Sequence, residues 1–394
     1  MALRSGPGRR RHPTLAAVRR LATAPLPKVL LKIPEYEGAI LTPRRLSNLY
    51  LNRFETLSLR TKLVSNPVKL TVEPTNICNL RCPACFTGIG QVGRKAGPMP
   101  LALYRRLLRE LGGHLFQIEF TNWGEPLLAK EFCTLVREAK ERGISTITST
   151  NLSIPFDRSR AEALVASGLD VFGVSIDGAR QETYGRYRVR GDFDTVLRNC
   201  RMVIEAKKHL GSATPKLVWE FHVFRHNVDD IEPAKEMARD LGMGITISKG
   251  WTVGNEWNPS GQWSFFLGNP EPFPCLFLWH FAVVNNDGGV APCCGTFYQA
   301  DDMGRLSSSP GDGGAQTFRQ VWNGARFREA RQLYRERSRA PQDVRSRICH
   351  DCPSTLLWEQ WQNHLRAGLP PNAFRAGFTF NDSFNYFWNR HRKE

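Results

Sequence analysis

Apolar residues recur at two spacings through the middle of this chain. Segments 69–73, 116–121, 144–149, 170–176, 217–223 and 245–248 are short and rich in apolar residues, the pattern of buried strands. In the first of them Leu70 and Val72 continue an alternation that begins at Val68. Between the strands, 101–111, 130–142, 158–166, 195–210 and 229–241 carry apolar residues three and four apart, which predicts helices with one buried face. Gly112, Gly143, Gly168, Gly211 and Gly242 follow these segments, where helices commonly stop. Strand-then-helix units repeated six times predict an α/β protein with a parallel sheet under outer helices. Such a run can close part-way into a barrel whose site lies at the C-terminal ends of the strands.

The flanks lack this rhythm. Residues 35–67 read as short polar and Leu-bearing pieces, and 251–274, rich in Trp, Gly, Asn and Pro, read as a connection. A helix-like piece at 355–367 leads into a tail bearing Phe374, Phe378, Phe380, Phe384, Tyr386, Phe387 and Trp388, expected to pack on the body or cover a site. The expected division is a basic, partly disordered arm over 1–67, a barrel over 68–262, a second cysteine-bearing domain over 263–355 and the aromatic tail over 356–394.

Composition narrows the class. At 394 residues there is room for one barrel-sized domain and a smaller one. Apolar residues at 41% and charged residues at 23% describe an ordinary globular protein, and no apolar run reaches the ~20 residues of a membrane span. Ten cysteines at motif-like spacing fit metal ligation in a reducing, cytoplasmic setting better than disulfides. The net charge of +17 is uneven: residues 1–34 hold Arg4, Arg9, Arg10, Arg11, Arg19, Arg20, Lys28 and Lys32 and no acid, and subtracting these eight leaves +9. The arm reads as a mobile tail, with a mitochondrial presequence as the other reading. The remaining charge suits an acidic substrate such as a phosphate, a nucleotide or an acidic peptide. No basic stripe interleaved with aromatics marks a nucleic-acid reader.

The densest chemistry is Cys78, Cys82 and Cys85 in the run CNLRCPACF, directly after the first predicted strand. Thiolates hold iron–sulfur clusters and a cubane takes four, so three on one loop leave one iron open to a substrate or cofactor. Zinc sites usually pair two C-x2-C knuckles or add two nearby histidines, and no histidine lies near this loop. The C-x3-C-x2-C spacing followed by Phe86 resembles the radical S-adenosylmethionine (SAM) superfamily. The resemblance implies a partial (β/α)6 barrel, SAM bound to the open iron, and its one-electron cleavage to a 5′-deoxyadenosyl radical.

Further stretches carry the same resemblance. Asn122-Trp123-Gly124-Glu125-Pro126 is similar to the Gly-Gly-Glu-Pro segment lining the methionyl end of SAM, with Trp123 in place of the first glycine. It implies Glu125 as acceptor for the SAM amino group, Gly124 beside it, and Pro126 fixing the turn. Ser149 and Asn151 stand where polar side chains meet the ribose. Ser175-Ile176-Asp177-Gly178 with the following Tyr184–Phe193 stretch resembles the SPASM/twitch branch, which places Ser175 and one arginine, Arg188 by alignment, on the SAM carboxylate. Asp177 has a turn cap as its alternative reading.

A second set comprises Cys275, Cys293, Cys294, Cys349 and Cys352. The C-x12-G-x4-C arrangement through NNDGGVAPCC resembles the opening of a SPASM domain, where a β-hairpin carries ligands on both sides. No cysteine follows Cys352, so the set resembles the shortened twitch form with one auxiliary 4Fe–4S cluster on Cys275, Cys293, Cys349 and Cys352, a zinc site being the alternative. Cys294 could exchange with Cys293 or remain a free thiol. Cys133 and Cys200 read as core residues, and His350 as a surface residue.

The expected activity is therefore a radical SAM oxidoreductase that takes a hydrogen atom from a small natural-product or sugar-like substrate and completes a dehydrogenation through the auxiliary cluster. A flavodoxin- or ferredoxin-type protein is the expected electron donor. Alternatives are maturation of a ribosomal peptide, redox-neutral epimerisation with Cys294 as hydrogen donor, and a cluster-bearing scaffold without turnover. Lys249 and Arg225, near the last two strand ends, are the basic residues facing the expected side, with structural roles equally open.

Overall fold

The computed structural model describes residues 36–250, 257, 274–306, 316–337 and 348–367. The basic arm up to residue 35, most of the 251–273 connection and the aromatic tail lie outside the described residues.

Nine strands form one sheet in the order β6-β5-β4-β3-β2-β1-β7-β8-β9. The first six are β1 (Lys69–Val72), β2 (Gln117–Phe120), β3 (Ser145–Thr150), β4 (Val171–Ser175), β5 (Lys216–Val223) and β6 (Gly244–Lys249). Each is parallel to its neighbour, which gives the open, partial barrel expected from the six-unit repeat. Connecting helices cover the outside: α2 (Leu101–Leu111), α3 (Phe132–Lys140), α4 (Arg158–Ala166), α5 (Gln181–Tyr187), α6 (Phe193–His209) and α7 (Ile231–Asp240). Gly143 at φ 65° and Gly242 at φ 68° stop α3 and α7 in the left-handed region. Gly112, also expected as such a stop, keeps a right-handed φ of −55° after α2.

Alternation along the strands sorts the two faces. Leu70, Val72, Ile118, Phe120, Phe172, Val174, Trp219 and Phe221 point outward and are buried beneath the helices. The register aligns their neighbours Thr71, Glu119, Ser149, Ser175 and His222 on the inner face. A barrel interior is ordinarily filled by branched apolar side chains; this one is polar, so it leaves a cavity instead of a core.

Two parts of the fold were not foreseen. Helix α1 (Pro43–Leu57) begins at a Thr42 cap and buries polar groups. Arg45 donates to the carbonyls of Arg142 at 2.6 Å and Gly143 at 2.7 Å, and Glu55 accepts from the backbone of Val64 at 2.7 Å and Ser65 at 3.0 Å. The cysteine-bearing hairpin also continues the barrel sheet. After α8 (Leu276–Trp279), β7 (Phe281–Val284) runs parallel to β1, then β8 (Gly289–Ala291) and β9 (Gly304–Arg305) add antiparallel strands. Helices α9 (Phe318–Trp322), α10 (Ala325–Glu336) and α11 (Pro353–Arg366) complete the described residues.

Candidate functional site

The loop after β1 brings Cys78, Cys82 and Cys85 to one wall of a cavity of about 370 Å³, at the C-terminal ends of the strands. Gly88 lets the loop fold tightly, since a Cβ there would lie 2.3 Å from the Cys82 carbonyl. Burial pushes the Cys78 thiol up to about 12 and the Cys82 thiol to about 11, so loading the loop with metal must release protons. Asn151 Nδ2 stands 3.8 Å from Cys78 Sγ. None of the ten cysteines is in a disulfide. Among the described residues no three His, Cys, Asp or Glu side chains close on a point that would hold a single metal ion. Three unpaired thiols spread around one cavity fit a cubane with an open iron.

The expected SAM-contacting residues fall into three positions. Gly124, Glu125, Ser149, Asn151, Ser175 and Arg188 line the same cavity. Gly124 is required by a close approach, because a Cβ would lie 1.9 Å from the Thr75 carbonyl. Pro126 begins a short turn behind Glu125. Phe86 lies behind the cysteine loop, fully buried against Trp123 and Phe297 with ring centroids 5.2 Å away from each.

Glu125 is buried, and burial raises its pKa against three hydrogen bonds that lower it. It accepts from Thr150 Oγ1, from Leu127 N at 3.1 Å and from Asn151 N at 2.7 Å. A carboxylate has about four acceptor positions, so one remains. Ser149 and Ser175 meet at 3.0 Å, and both donate to Glu220, a β5 residue the sequence analysis passed over.

Asp177 is the hub of the cavity wall. Fully buried, it accepts from Arg188 Nε at 2.6 Å through one oxygen. Its other oxygen accepts from His222 N at 2.8 Å and faces His222 Nδ1 at 3.0 Å. Burial alone would raise its pKa, but the Arg188 guanidinium and His222 hold it at about 2. Capping a turn is therefore not its main work. His222, which the sequence analysis also missed, lines the cavity; Lys249 and Arg225 are not among the described residues that do.

The second cysteine set is built on helix ends. Cys275 precedes α8 and Cys352 precedes α11; burial raises both thiols, Cys352 to about 12, against backbone N–H groups that lower them. The neighbours that act on the Cys293 thiol are Cys294, Cys352, Cys349 and Cys275. Cys293 therefore lies near Cys294 and the other three thiols of the second set. Cys294 has Glu119 and Cys275 among its neighbours and lines the cavity shared with Cys78, Cys82 and Cys85. His350 turns Nδ1 to Asp351 at 2.6 Å. Cys200 is fully buried in the core, and Cys133 packs partly buried against it.

The two cysteine sets share a buried polar seam. Glu73, at the end of β1, accepts from Trp123 N at 3.1 Å on one side and Asn286 N at 3.2 Å on the other. Asn122 bonds Asn285 at 2.9 Å, and Trp123 Nε1 donates to Thr296 O at 2.8 Å. Arg94, just beyond the cysteine loop, pairs with Asp287 at 3.0 Å and Asp302 at 3.1 Å across the hairpin.

Comparison with known proteins agrees with this layout. The radical SAM superfamily model matches residues 72–238, and a SPASM iron–sulfur cluster-binding domain matches residues 275–353. The chain is 28% identical over 180 residues to a probable GTP 3′,8-cyclase of Methanocaldococcus jannaschii, covering 45% of this chain but only 57% of that relative. It is 26% identical over 318 residues to the PqqA peptide cyclase of Ruegeria pomeroyi, covering 72% of this chain and 80% of the relative. The crystal structure of Streptococcus suis SuiB bound to S-adenosylmethionine superposes with a TM-score of 0.54 at 13% identity, over 84% of this chain and 82% of that one, a likeness of fold. Radical SAM and SPASM domains bring with them SAM and 4Fe–4S clusters. No helix among the described residues is long and apolar enough to cross a membrane. The chain belongs to the radical SAM superfamily, in its SPASM/twitch branch.

Proposed function

We propose that this enzyme dehydrogenates a small polyhydroxylated substrate, neutral or amino-bearing, held in the barrel cavity. Cys78, Cys82 and Cys85 would hold the SAM-binding cluster, and Cys275, Cys293, Cys349 and Cys352 a fully ligated auxiliary one. When loaded, these groups and SAM supply a hydrogen-abstracting 5′-deoxyadenosyl radical and a one-electron acceptor.

The observation that supports the reading is Cys294 in the cavity wall: with its neighbour Cys293 in the auxiliary set, that set would lie directly behind the substrate space. The chain's own residues do the rest. Arg188, fixed by Asp177, would hold the SAM carboxylate, and the last acceptor position of Glu125 its amino group. Ser149 and Asn151 would meet the ribose. Thr71, Glu119, Thr121 and Asn122 then remain to orient hydroxyl or amino groups of the substrate. Although the body carries surplus positive charge, Glu119 on this wall and Glu220 behind the serines disfavour the acidic substrate that net charge suggested. Net charge reports the whole surface, whereas a cavity recognises through the few groups inside it.

The test is anaerobic reconstitution with SAM and a reductant, offering in turn an amino cyclitol, the parent cyclitol, its phosphate ester and a short acidic peptide. 5′-Deoxyadenosine and a product lighter by one pair of hydrogens are expected with the first two. Turnover confined to the phosphate or the peptide would overturn the reading. Absence of 5′-deoxyadenosine with the protein fully loaded would leave the non-catalytic scaffold.

Cys294 also favours a second reading, in which its S–H returns a hydrogen atom to the opposite face and the outcome is epimerisation. Solvent deuterium in an unoxidised product would mark that route. The similarity to the PqqA peptide cyclase favours a peptide as the alternative substrate class.

A further inference from the structure

We propose that His222 is the general base of the oxidation, its Nε2 taking the hydroxyl proton of the substrate radical while Asp177 holds the ring. The assignment rests on the dehydrogenation reading and names a residue for the step which that reading leaves without one.

The geometry points to it in three ways. Asp177 is an ionised carboxylate, which can only accept, so the 3.0 Å contact from its oxygen to His222 Nδ1 requires the proton to sit on Nδ1. In the neutral ring that tautomer leaves Nε2 with a free lone pair on the other edge. The His222 backbone N–H donates to the same oxygen at 2.8 Å, so ring and strand are fixed by one anchor. The side chain remains 28% exposed while Asp177 is fully buried, and the exposed part borders the cavity that Cys78, Cys82, Cys85 and Cys294 also line. A buried carboxylate orienting an imidazole toward a reaction space is the arrangement general bases use.

Its rivals on the same wall are committed elsewhere. Glu119 is paired with Lys69 at 2.7 Å, and Glu125 carries three donors. Arg188 is cationic and bound to Asp177. Glu220 accepts from both serines.

The step balances. The substrate C–H bond breaks homolytically and its hydrogen joins the 5′-carbon, giving 5′-deoxyadenosine and an α-hydroxy carbon radical. The O–H bond then breaks, its proton bonding to Nε2, and the resulting radical anion gives up one electron to an acceptor of the iron–sulfur class as C=O forms. The electron released equals the one spent in cleaving SAM, and a one-electron carrier of the flavodoxin or ferredoxin class closes the cycle.

The experiment compares reconstituted wild type with His222→Asn, using the cyclitol that supports wild-type turnover, deuterated at its carbinol carbons. The variant is expected to keep deuterium transfer into 5′-deoxyadenosine while carbonyl product per 5′-deoxyadenosine falls at least about tenfold. Histidine-selective 15N NMR of the reconstituted protein should show a His222 ring protonated at Nδ1 with Nε2 bare, and Asp177→Asn should abolish that preference. An unchanged product ratio in His222→Asn overturns the assignment. So does loss of 5′-deoxyadenosine in step with product, which would place His222 in SAM binding. Failure of the dehydrogenation reading itself would be read in wild type, as turnover without carbonyl product.

Discussion

Asp177→Asn probes the strongest electrostatic anchor in the site. Burial opposes the Asp177 charge, and the Arg188 guanidinium and His222 more than offset it, setting the pKa at about 2 against an ordinary 3.8. That gap corresponds to roughly 2 kcal/mol at ~1.36 kcal/mol per pKa unit. The folded value lies below the unfolded one, so the stabilisation is complete above about pH 4 and is lost only as pH falls toward 2. Asparagine removes it at neutral pH and also strands Arg188, whose side chain is only 14% exposed. An uncompensated buried charge brings the total to about 3–5 kcal/mol. Anaerobic urea unfolding followed by tryptophan fluorescence measures the difference, which should stay constant between about pH 6 and 8. A difference under about 1 kcal/mol would refute the buried ion-pair argument.

Two further substitutions separate the sites. Cys293→Ala is expected to lower iron from about eight to about four atoms per chain, whereas Cys294→Ala should keep the full complement; colorimetric iron and sulfide assays decide this. Gly124→Ala would place a methyl group 1.9 Å from the Thr75 carbonyl. Because the displaced loop borders the SAM space, 5′-deoxyadenosine formation should fall about a hundredfold while far-UV circular dichroism stays unchanged.

The barrel was legible because its signals are short-range. A strand buried on one face must alternate, and Leu70 and Val72, Phe172 and Val174, Trp219 and Phe221 do so. The three thiols of one cluster had to lie close in sequence to reach it from one loop. Helix α1 escaped notice for the opposite reason. The side chains it buries include Arg45, Asn48, Asn52, Glu55 and Thr56, while Tyr50 and Phe54 at helical spacing stay exposed, so its buried face is not its apolar one. Those groups bond to carbonyls and amides elsewhere in the chain, such as Gly143, Ser65 and Trp279.

Residue types and their spacing by themselves determined the strand–helix repeat, the open-iron loop and the presence of a second thiol set. Only the tertiary structure put Cys294 in the cavity lining, which its place beside Cys293 in the sequence does not reveal. It alone joined β7 to β1, 212 positions apart at Lys69 and Phe281, and so brought the second cysteine set against the barrel sheet. It alone brought His222 onto Asp177, 45 positions away. Local patterns follow from chain stereochemistry and burial, whereas a site made by packing distant strands exists only once the sheet has formed.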